Sequence, residues 1–222
     1  EGFLLDGTCD QMSDQLFFKK LDEYKEADVD LIFFATGSAC YYEDLEYFHS
    51  IRKLFFEKTI CVLGDIFVEK NFREHILNND ADGIVYKPYN LELKEIIKIR
   101  QKKKNKENIE ISCLITDPNN HPFFKELKKL TMIDSNVPRH ELFKKGYSWP
   151  FLTTKNFTTL TTMWGCTYSC SYCTSGIMHP ISRTNQSIIN EIKYIKKLGF
   201  KEIQFFDKVF GIPKNDRKDL LR

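Results

Sequence analysis

The first hundred residues alternate short apolar runs with amphipathic segments. Apolar residues in consecutive positions are typical of strands buried on both faces of a parallel sheet. Four such runs predict strands, over 3–6, 30–36, 59–64 and 83–86. Apolar residues at helical spacing predict helices near residues 13–24, 42–56, 69–77 and 91–100. Strands and helices that alternate in this way predict right-handed crossovers and a doubly wound, Rossmann-like parallel sheet.

An open sheet of this kind binds ligands beyond the carboxyl ends of its strands. Those ends fall at residues 6–8, 36–38, 64–66 and 87–89. Thr8, Ser38 and Gly64 are therefore the candidate cofactor-binding residues of this half of the chain.

The pattern loosens in the middle of the chain and then restarts. Prolines, with interspersed aromatic residues, predict an ordered linker over residues 105–155 whose aromatic side chains pack on a neighbouring module. Further on, a strand is predicted over Phe157–Met163, a helix over Ser187–Gly199 and a strand over Glu202–Asp207. The expected organisation is a sheet domain over 1–104, the linker, and a second α/β domain over 156–222.

Charge supports two modules. Residues 1–97 carry 10 Lys or Arg against 20 Asp or Glu, whereas residues 98–222 carry 23 against 11. The densest basic run, Lys98–Lys106, ends a predicted helix and contains no aromatic residue. We therefore interpret this run as a solvated helix end, and nucleic acid is not an expected partner.

The sequence predicts a soluble, cytoplasmic protein. It has no apolar run of about 18 residues and no signal-peptide pattern, so no membrane span is expected. Four of its seven cysteines stand far apart in sequence, which suits a reducing compartment. The chain does not begin with Met, and we expect it to lack its native start.

The other three cysteines, Cys166, Cys170 and Cys173, lie within eight residues in "GCTYSCSYC". A disulfide between two of these cysteines would leave the third thiol unpaired. A structural zinc site would need a fourth ligand, for which His179 is the nearest candidate. Three thiolates also suit an iron-sulfur cluster in which one iron keeps an open coordination position.

The spacing of these cysteines, with Gly165 before the first and Tyr172 before the last, resembles the signature of the radical S-adenosylmethionine (SAM) enzymes. The resemblance implies that the three cysteines ligate a 4Fe-4S cluster, that Tyr172 lines the adenine side of SAM, and that the fold is a full or partial β/α barrel. It also implies reductive cleavage of SAM to a 5′-deoxyadenosyl radical, with electrons from a low-potential donor such as ferredoxin or flavodoxin. Tyr172 as a packing residue of the loop is the alternative.

Two segments that flank the cysteines, "VPRHELFKKGYSWPF" (137–151) and "SRTNQSIINEIKYIKKLGFKEIQFFDKVF" (182–210), are similar to the branch of this family whose N-terminal domain binds cobalamin. This resemblance implies methyl transfer or a rearrangement. The chain departs from the cobalamin pattern at three positions. Thr8 stands where a cobalt-ligating His is usual, Gln11 where Gly is usual, and Asp65 follows Gly64 where a second Gly is usual. Cobalamin binding and a purely structural sheet domain therefore both stay open.

Two further residues match positions at which this branch has candidate site residues. Arg183 follows the cysteines and suits a cofactor or substrate carboxylate. Asp207 ends a predicted strand at the catalytic face of the barrel, and Lys208 replaces the acid that often follows it. An ordinary salt bridge is the alternative for Arg183 and Asp207.

The expected function is that of a radical SAM enzyme, with a substrate that the sequence leaves unknown. A β/α barrel typically needs roughly 200 residues or more, and about sixty-five residues of the second domain are present. We therefore expect a fragment of a longer enzyme. A truncated iron-sulfur or cofactor-binding module without turnover is the alternative.

Overall fold

The structure, a computed structural model, describes residues 2–6, 11–88, 91–120, 131–143, 147–176 and 180–211. The chain divides into two compact units. We call Gln15–Lys125 the sheet unit, and Glu1–Asp14 together with Glu126–Arg222 the cysteine unit.

The sheet unit is built on a four-stranded sheet in the order β1-β2-β3-β4. Its strands are β1 (Leu31–Ala35), β2 (Thr59–Leu63), β3 (Gly83–Val85) and β4 (Leu114–Ile115). The first three are parallel and β4 runs antiparallel to β3. The helices of this part of the chain are α1 (Asp14–Glu26), α2 (Tyr41–Leu54), α3 (Lys70–Asn78), α4 (Leu93–Ile96) and α5 (Ile99–Lys104). The predicted parallel sheet is confirmed.

Helices lie on both faces of this sheet. Cys61 and Val85 form a buried cluster with Ile96 and Ile99, the residues that α4 and α5 contribute. Phe34 points to the other face because side chains alternate along a strand and Phe33 pairs with Cys61. Its ring packs edge-on against Phe48 of α2, with ring centroids 5.6 Å apart.

The structure differs from the sequence prediction at both ends of the sheet. The strand predicted over Phe3–Asp6 is wrong, since these residues form no strand and Phe3 is 52% exposed. An apolar run favours an extended chain but does not supply a neighbouring strand to pair with. Conversely, β4 lies within the predicted linker and extends the first sheet past residue 104.

The described residues of the cysteine unit form two small sheets and one long helix. Its strands are β5 (Thr131–Ile133), β6 (Phe157–Leu160), β7 (Met163–Trp164), β8 (Ile181–Arg183) and β9 (Glu202–Phe205), and its helix is α6 (Asn185–Lys197). One sheet has the order β5-β8-β7, and the other pairs β6 with β9 in parallel. The strand predicted over Phe157–Met163 is therefore two strands, β6 and β7, which join different sheets.

The βαβ unit formed by β6, α6 and β9 has the core that the sequence predicts. Ile188 and Ile195 of α6 are buried against Leu160 of β6, and Ile192 packs on the same cluster. The helix begins at its N-cap Thr184, whose hydroxyl accepts a hydrogen bond from the Ser187 N–H. Gly199, with a φ of 82°, lies just beyond its end.

The basic run of α5 is engaged within the sheet unit. Lys102 pairs with Glu95 at 3.0 Å and Lys104 with Glu57 at 3.3 Å. The Lys103 ammonium donates to the Ala81 carbonyl at 2.9 Å. These contacts agree with the interpretation of the run as a helix end.

Within the described ranges, no helix combines the length and the apolar character needed to cross a bilayer.

The fully buried carboxylate of Asp82 is an electrostatic centre of the sheet unit. Its Oδ2 accepts from Arg52 Nη2 at 2.6 Å and from the Ile60 N–H at 2.9 Å, and its Oδ1 accepts from Arg100 Nη1 at 3.2 Å. These bonds tie α2, β2 and α5 to the turn before β3.

Replacement of Asp82 by Ala is expected to lower the free energy of unfolding by about 3–5 kcal/mol, because the buried Arg52 guanidinium would lose its counter-charge. Urea denaturation at neutral pH measures the change. Glu74→Ala removes an exposed partner of Lys70 and is the control. Its expected effect is below about 1 kcal/mol, so equal losses in the two variants would contradict the role given to Asp82.

Candidate functional site

The three clustered cysteines lie in the segment between β7 and β8, which we call the cysteine loop (residues 165–176). Cys166 and Cys173 are half-buried and Cys170 is exposed. All six cysteines in the described part of the chain carry free thiols, so the disulfide alternative does not hold for them. His179, the alternative fourth zinc ligand, lies outside the described residues.

The loop is folded tightly on itself. The Cys173 N–H donates to the Cys170 carbonyl at 3.1 Å, and the Gly176 N–H donates to the Cys173 carbonyl at 3.3 Å. A Cβ at Gly176 would lie 2.7 Å from the Tyr168 carbonyl oxygen, closer than any side chain tolerates. Gly165 enters the loop with a φ of 70°, a left-handed conformation that favours glycine.

Two of the three thiols accept N–H groups of the loop. The Tyr168 N–H lies 3.4 Å from Cys166 Sγ. Hydrogen bonds from the backbone N–H and then the hydroxyl of Ser175 lower the pKa of Cys173, and the charge of Lys208 acts in the same direction. By contrast, burial raises the pKa of Cys61 in the sheet unit to about 12. The surroundings of Cys173 therefore favour the thiolate, the metal-binding form, whereas the surroundings of Cys61 disfavour it.

No group of three or more His, Cys, Asp or Glu among the described residues is arranged to hold a metal ion. The structure thus does not bring the three thiols to one point, as a zinc ion would require. A 4Fe-4S cluster takes each thiolate on a different iron, so its ligands surround a larger body. The donor set of the loop, three accessible thiols of which two accept N–H groups, fits the chemistry of a cluster.

Tyr172 is 89% exposed beside Cys173. Its ring does not pack within the loop, and it presents an aromatic face to any ligand that binds there.

Arg183 lies in the core of the cysteine unit and is 2% exposed. Its guanidinium forms an ion pair with Glu191 of α6 and donates to the Thr161 carbonyl at 3.0 Å. On its other oxygen, Glu191 contacts His140 Nε2 at 2.7 Å, while His140 Nδ1 lies 2.8 Å from Thr158 Oγ1. The geometry is that of a buried salt bridge.

The sequence prediction missed His140 and Glu191. A signal for Glu191 was present, because an acid three residues after Ile188 and four before Ile195 falls on the apolar stripe of the helix. No comparable signal marked His140, which comes from the predicted linker.

Asp207 follows the end of β9 and binds the chain that leads into the cysteine loop. Its Oδ1 accepts from the Thr162 N–H at 2.8 Å, the Thr162 hydroxyl at 3.0 Å and the Met163 N–H at 2.6 Å. Asp207 therefore fixes the step from β6 to β7, directly before Gly165.

The second candidate site, the carboxyl edge of the sheet unit, is occupied by side chains of the protein itself. The Ser38 N–H donates to Asp65 Oδ1 at 3.2 Å. Thr36 Oγ1 and Cys40 Sγ donate to Asp44 Oδ2 at 2.7 and 2.9 Å. Thr8 lies outside the described residues.

Gly64 allows the ends of β1 and β2 to come together at this edge, since a Cβ there would lie 2.4 Å from the Thr36 carbonyl oxygen. Asp65 follows it and places a carboxylate on the Ser38 N–H. Cobalamin carries a phosphate in its nucleotide tail. The described residues of the edge do not fit that phosphate, because a carboxylate already holds the donor and repels a second anion.

Comparison with known proteins shows the fold. No protein-family model and no curated protein matches the chain. Among solved structures, it is similar to the radical S-adenosylmethionine methyltransferase TsrM from Kitasatospora setae with tryptophan substrate and a SAM analog (aza-SAM) bound, with a TM-score of 0.61 and 17% identity. It is also similar to TsrM with cobalamin and a [4Fe-4S] cluster bound, with a TM-score of 0.57 and 15% identity. Each match covers 93% of this chain and 43% of the other, so the chain spans less than half the length of these neighbours.

Replacement of Asp207 by Ala is expected to free the entrance of the cysteine loop, because the Thr162 and Met163 amides lose their shared acceptor. Hydrogen exchange at these two amides should accelerate by about tenfold or more, as expected for loss of bonds to a charged group. Asp207→Asn keeps an oxygen acceptor without the charge. Its exchange rates at these amides should lie between those of the unaltered chain and those of Asp207→Ala. Unchanged protection of both amides in Asp207→Ala would contradict the role of this carboxylate.

Proposed function

We propose that this chain is the cofactor-binding part of a radical SAM enzyme, in which Cys166, Cys170 and Cys173 hold a 4Fe-4S cluster. The observation that carries the proposal is the cysteine loop itself. Its three thiols are free, accessible and held in one tightly turned segment, and two of them accept N–H groups. Bonds from N–H groups to sulfur favour the thiolates that iron requires.

The fold likeness supports this proposal, because the neighbours are named as radical SAM methyltransferases and one was solved with SAM analogue and the other with a cluster. When bound, the cluster supplies the electron that cleaves SAM. The residues of this chain would bind SAM and hold the loop in place. Tyr172 would contact the adenine side of SAM, and Asp207 would hold the loop entrance in place.

We assign Arg183 a structural part in this function. Its guanidinium is buried and neutralised by Glu191, so it is not exposed to a substrate carboxylate. By its bond to the Thr161 carbonyl it supports the same chain segment that Asp207 holds from β9.

A second candidate function is a cluster-binding module without turnover. The observation that favours it is coverage, since the chain matches 43% of the length of its neighbours. Residues that shield a radical from solvent and bind the substrate would then belong to another part of a longer protein. Release of 5′-deoxyadenosine separates the two functions.

Anaerobic reconstitution of the chain with iron and sulfide is expected to yield four irons per chain and the broad visible absorption of a cluster. Replacement of Cys166, Cys170 or Cys173 by Ala should each lower the iron content severely, because each removes the ligand of one iron. Cys40→Ala removes a half-buried thiol of the sheet unit and should leave the iron content unchanged. A full cluster in the triple Ala variant would refute the assignment.

With SAM and a strong one-electron reductant, the reconstituted chain is expected to release 5′-deoxyadenosine. Liquid chromatography with mass spectrometry measures it, and the triple Ala variant is the control. A loaded cluster with no 5′-deoxyadenosine would favour the module without turnover.

We further propose that the sheet unit, with Asp65 in place, disfavours cobalamin. Replacement of Asp65 by Gly is expected to tighten cobalamin binding by about fivefold. The change frees the Ser38 N–H and removes a repulsion of about 1 kcal/mol between the Asp65 carboxylate and the phosphate. Spectroscopic titration with hydroxocobalamin measures the affinity, and cobalt retained after gel filtration gives the stoichiometry.

Asp28→Gly is the matched control, because Asp28 is an exposed acid that precedes β1 at the opposite end of the strand from Thr36. It should not change the affinity. If the unaltered chain and Asp65→Gly bind cobalamin equally well, the edge accepts the cofactor as it stands.

A further inference from the structure

Two consecutive turns of the cysteine loop meet at Cys173. The Cys173 N–H donates to the Cys170 carbonyl at 3.1 Å and closes the turn 170–173, and the Gly176 N–H donates to the Cys173 carbonyl at 3.3 Å. The Cα atoms at the two ends of a four-residue turn lie within about 7 Å of each other, which is also about the longest Cα separation that a disulfide bridges. The fold therefore holds Cys170 and Cys173 within disulfide range while both thiols are free.

The turn 170–173 is open to small molecules. Ser171 and Tyr172 form its two central positions and both are exposed. Tyr172 is 89% exposed, so its ring makes little contact with the rest of the loop. Cys170 is exposed whereas Cys173 is half-buried, so a reagent from solvent reaches the Cys170 sulfur first.

Cys166 has a different local partner. Its Sγ accepts a hydrogen bond from the Tyr168 N–H at 3.4 Å. Among the described residues, no backbone hydrogen bond closes a turn between Cys166 and Cys170. The Tyr168 carbonyl oxygen lies against Gly176 instead, since a Cβ on Gly176 would be 2.7 Å from it. The backbone thus joins one pair of the three cysteines by a closed turn.

We propose that Cys170 and Cys173 are a redox-sensitive pair, which a small-molecule disulfide such as oxidised glutathione converts to an intramolecular disulfide when the loop carries no cluster. The consequence for the protein rests on the proposed function. A disulfide between these residues would withdraw two of the three cluster ligands. Loading of the cluster would then require that this bond be reduced first.

The exchange proceeds in two balanced steps. The Cys170 sulfur attacks one sulfur of glutathione disulfide, which breaks that S–S bond and releases one glutathione. The Cys173 sulfur then attacks the Cys170 sulfur of the mixed disulfide and releases the second glutathione. Two cysteines are oxidised, one glutathione disulfide is reduced to two thiols, and the two cysteine protons pass to the released glutathione. The second step costs little loop-closure entropy, because the turn already brings the two residues together.

The test is mass spectrometry of the full, cluster-free chain after anaerobic incubation with glutathione disulfide. Free thiols are blocked with N-ethylmaleimide before digestion with trypsin, which cleaves after Lys and Arg. The tryptic peptide 156–183 contains the three loop cysteines and no other cysteine. It should carry a maleimide group on each of the three cysteines in the reduced chain and on Cys166 alone after oxidation. Treatment with dithiothreitol should restore the reduced pattern.

Two variants and an unfolded control examine the choice of pair. Cys166→Ala leaves the pair intact and should still form the disulfide. Cys173→Ala should stop after the first step and retain one glutathione on Cys170. Oxidation of the unaltered chain in concentrated urea is the control for the fold, because an unfolded loop holds no preferred pair. The remaining maleimide group should then be spread over the three cysteines.

Several results would overturn the pair. They are a native chain that keeps all three loop thiols free, one that retains glutathione on Cys170, and a distribution that is the same with and without urea. A disulfide that still forms in Cys173→Ala would place the bond between Cys166 and Cys170 and overturn it as well.

The iron content of the reduced chain after reconstitution is measured separately and tests the proposed function. A chain that forms the disulfide but no cluster contradicts that function and leaves the redox-sensitive pair intact. A chain that forms the cluster but not this disulfide does the reverse.

Discussion

The carboxylate of Glu191 is the interaction on which the cysteine unit depends. It is 1% exposed and is shared by Arg183 and His140. A buried carboxylate without partners is strongly unfavourable, so these groups must come together when the unit folds. They come from α6, from β8 and from the segment that follows β5. Because His140 also contacts Thr158 of β6, one buried charge joins four elements of the unit.

The same network explains why the cysteine loop can be open to solvent and still have a defined base. Arg183 binds the Thr161 carbonyl from one side, and Asp207 binds the amides of Thr162 and Met163 from the other. The loop begins directly after the residues that these bonds hold, and its central residues Cys170 and Tyr172 are exposed. A cofactor site needs this combination of a fixed base and accessible ligands.

Local patterns in the sequence predicted local features well. The stripe of Ile188, Ile192 and Ile195 identified α6 and its buried face, and the apolar run at Thr59–Leu63 identified the central strand of the first sheet. Pairing between distant residues was not predictable in the same way. Nothing in the sequence around Leu114 indicates that it pairs with Val85, and nothing near His140 indicates Glu191, because these contacts join residues about 29 and 51 positions apart.

The cysteine spacing predicted three thiols in one tight loop, but the sequence could not tell that Arg183 points into the core. An arginine that serves a salt bridge and one that serves a ligand look the same in a linear pattern. What decides between them is whether a carboxylate of the protein lies within reach, and Glu191 is one helical turn beyond Ser187, which also binds the guanidinium.

The two candidate sites differ in the sign of the charge that they offer a ligand. At the edge of the sheet unit, Asp44 and Asp65 accept hydrogen bonds from donors of the protein itself, and among the described residues their charges disfavour an anionic ligand. In the cysteine loop, N–H groups bond to the sulfur atoms of Cys166 and Cys173, and the charge of Lys208 helps to lower the pKa of Cys173. Iron-bound thiolates and the carboxylate of SAM are both anionic, so such surroundings would stabilise both in the proposed site. The likeness to the solved methyltransferase is therefore one of fold, and the proposed cofactor chemistry rests on the residues of the cysteine loop.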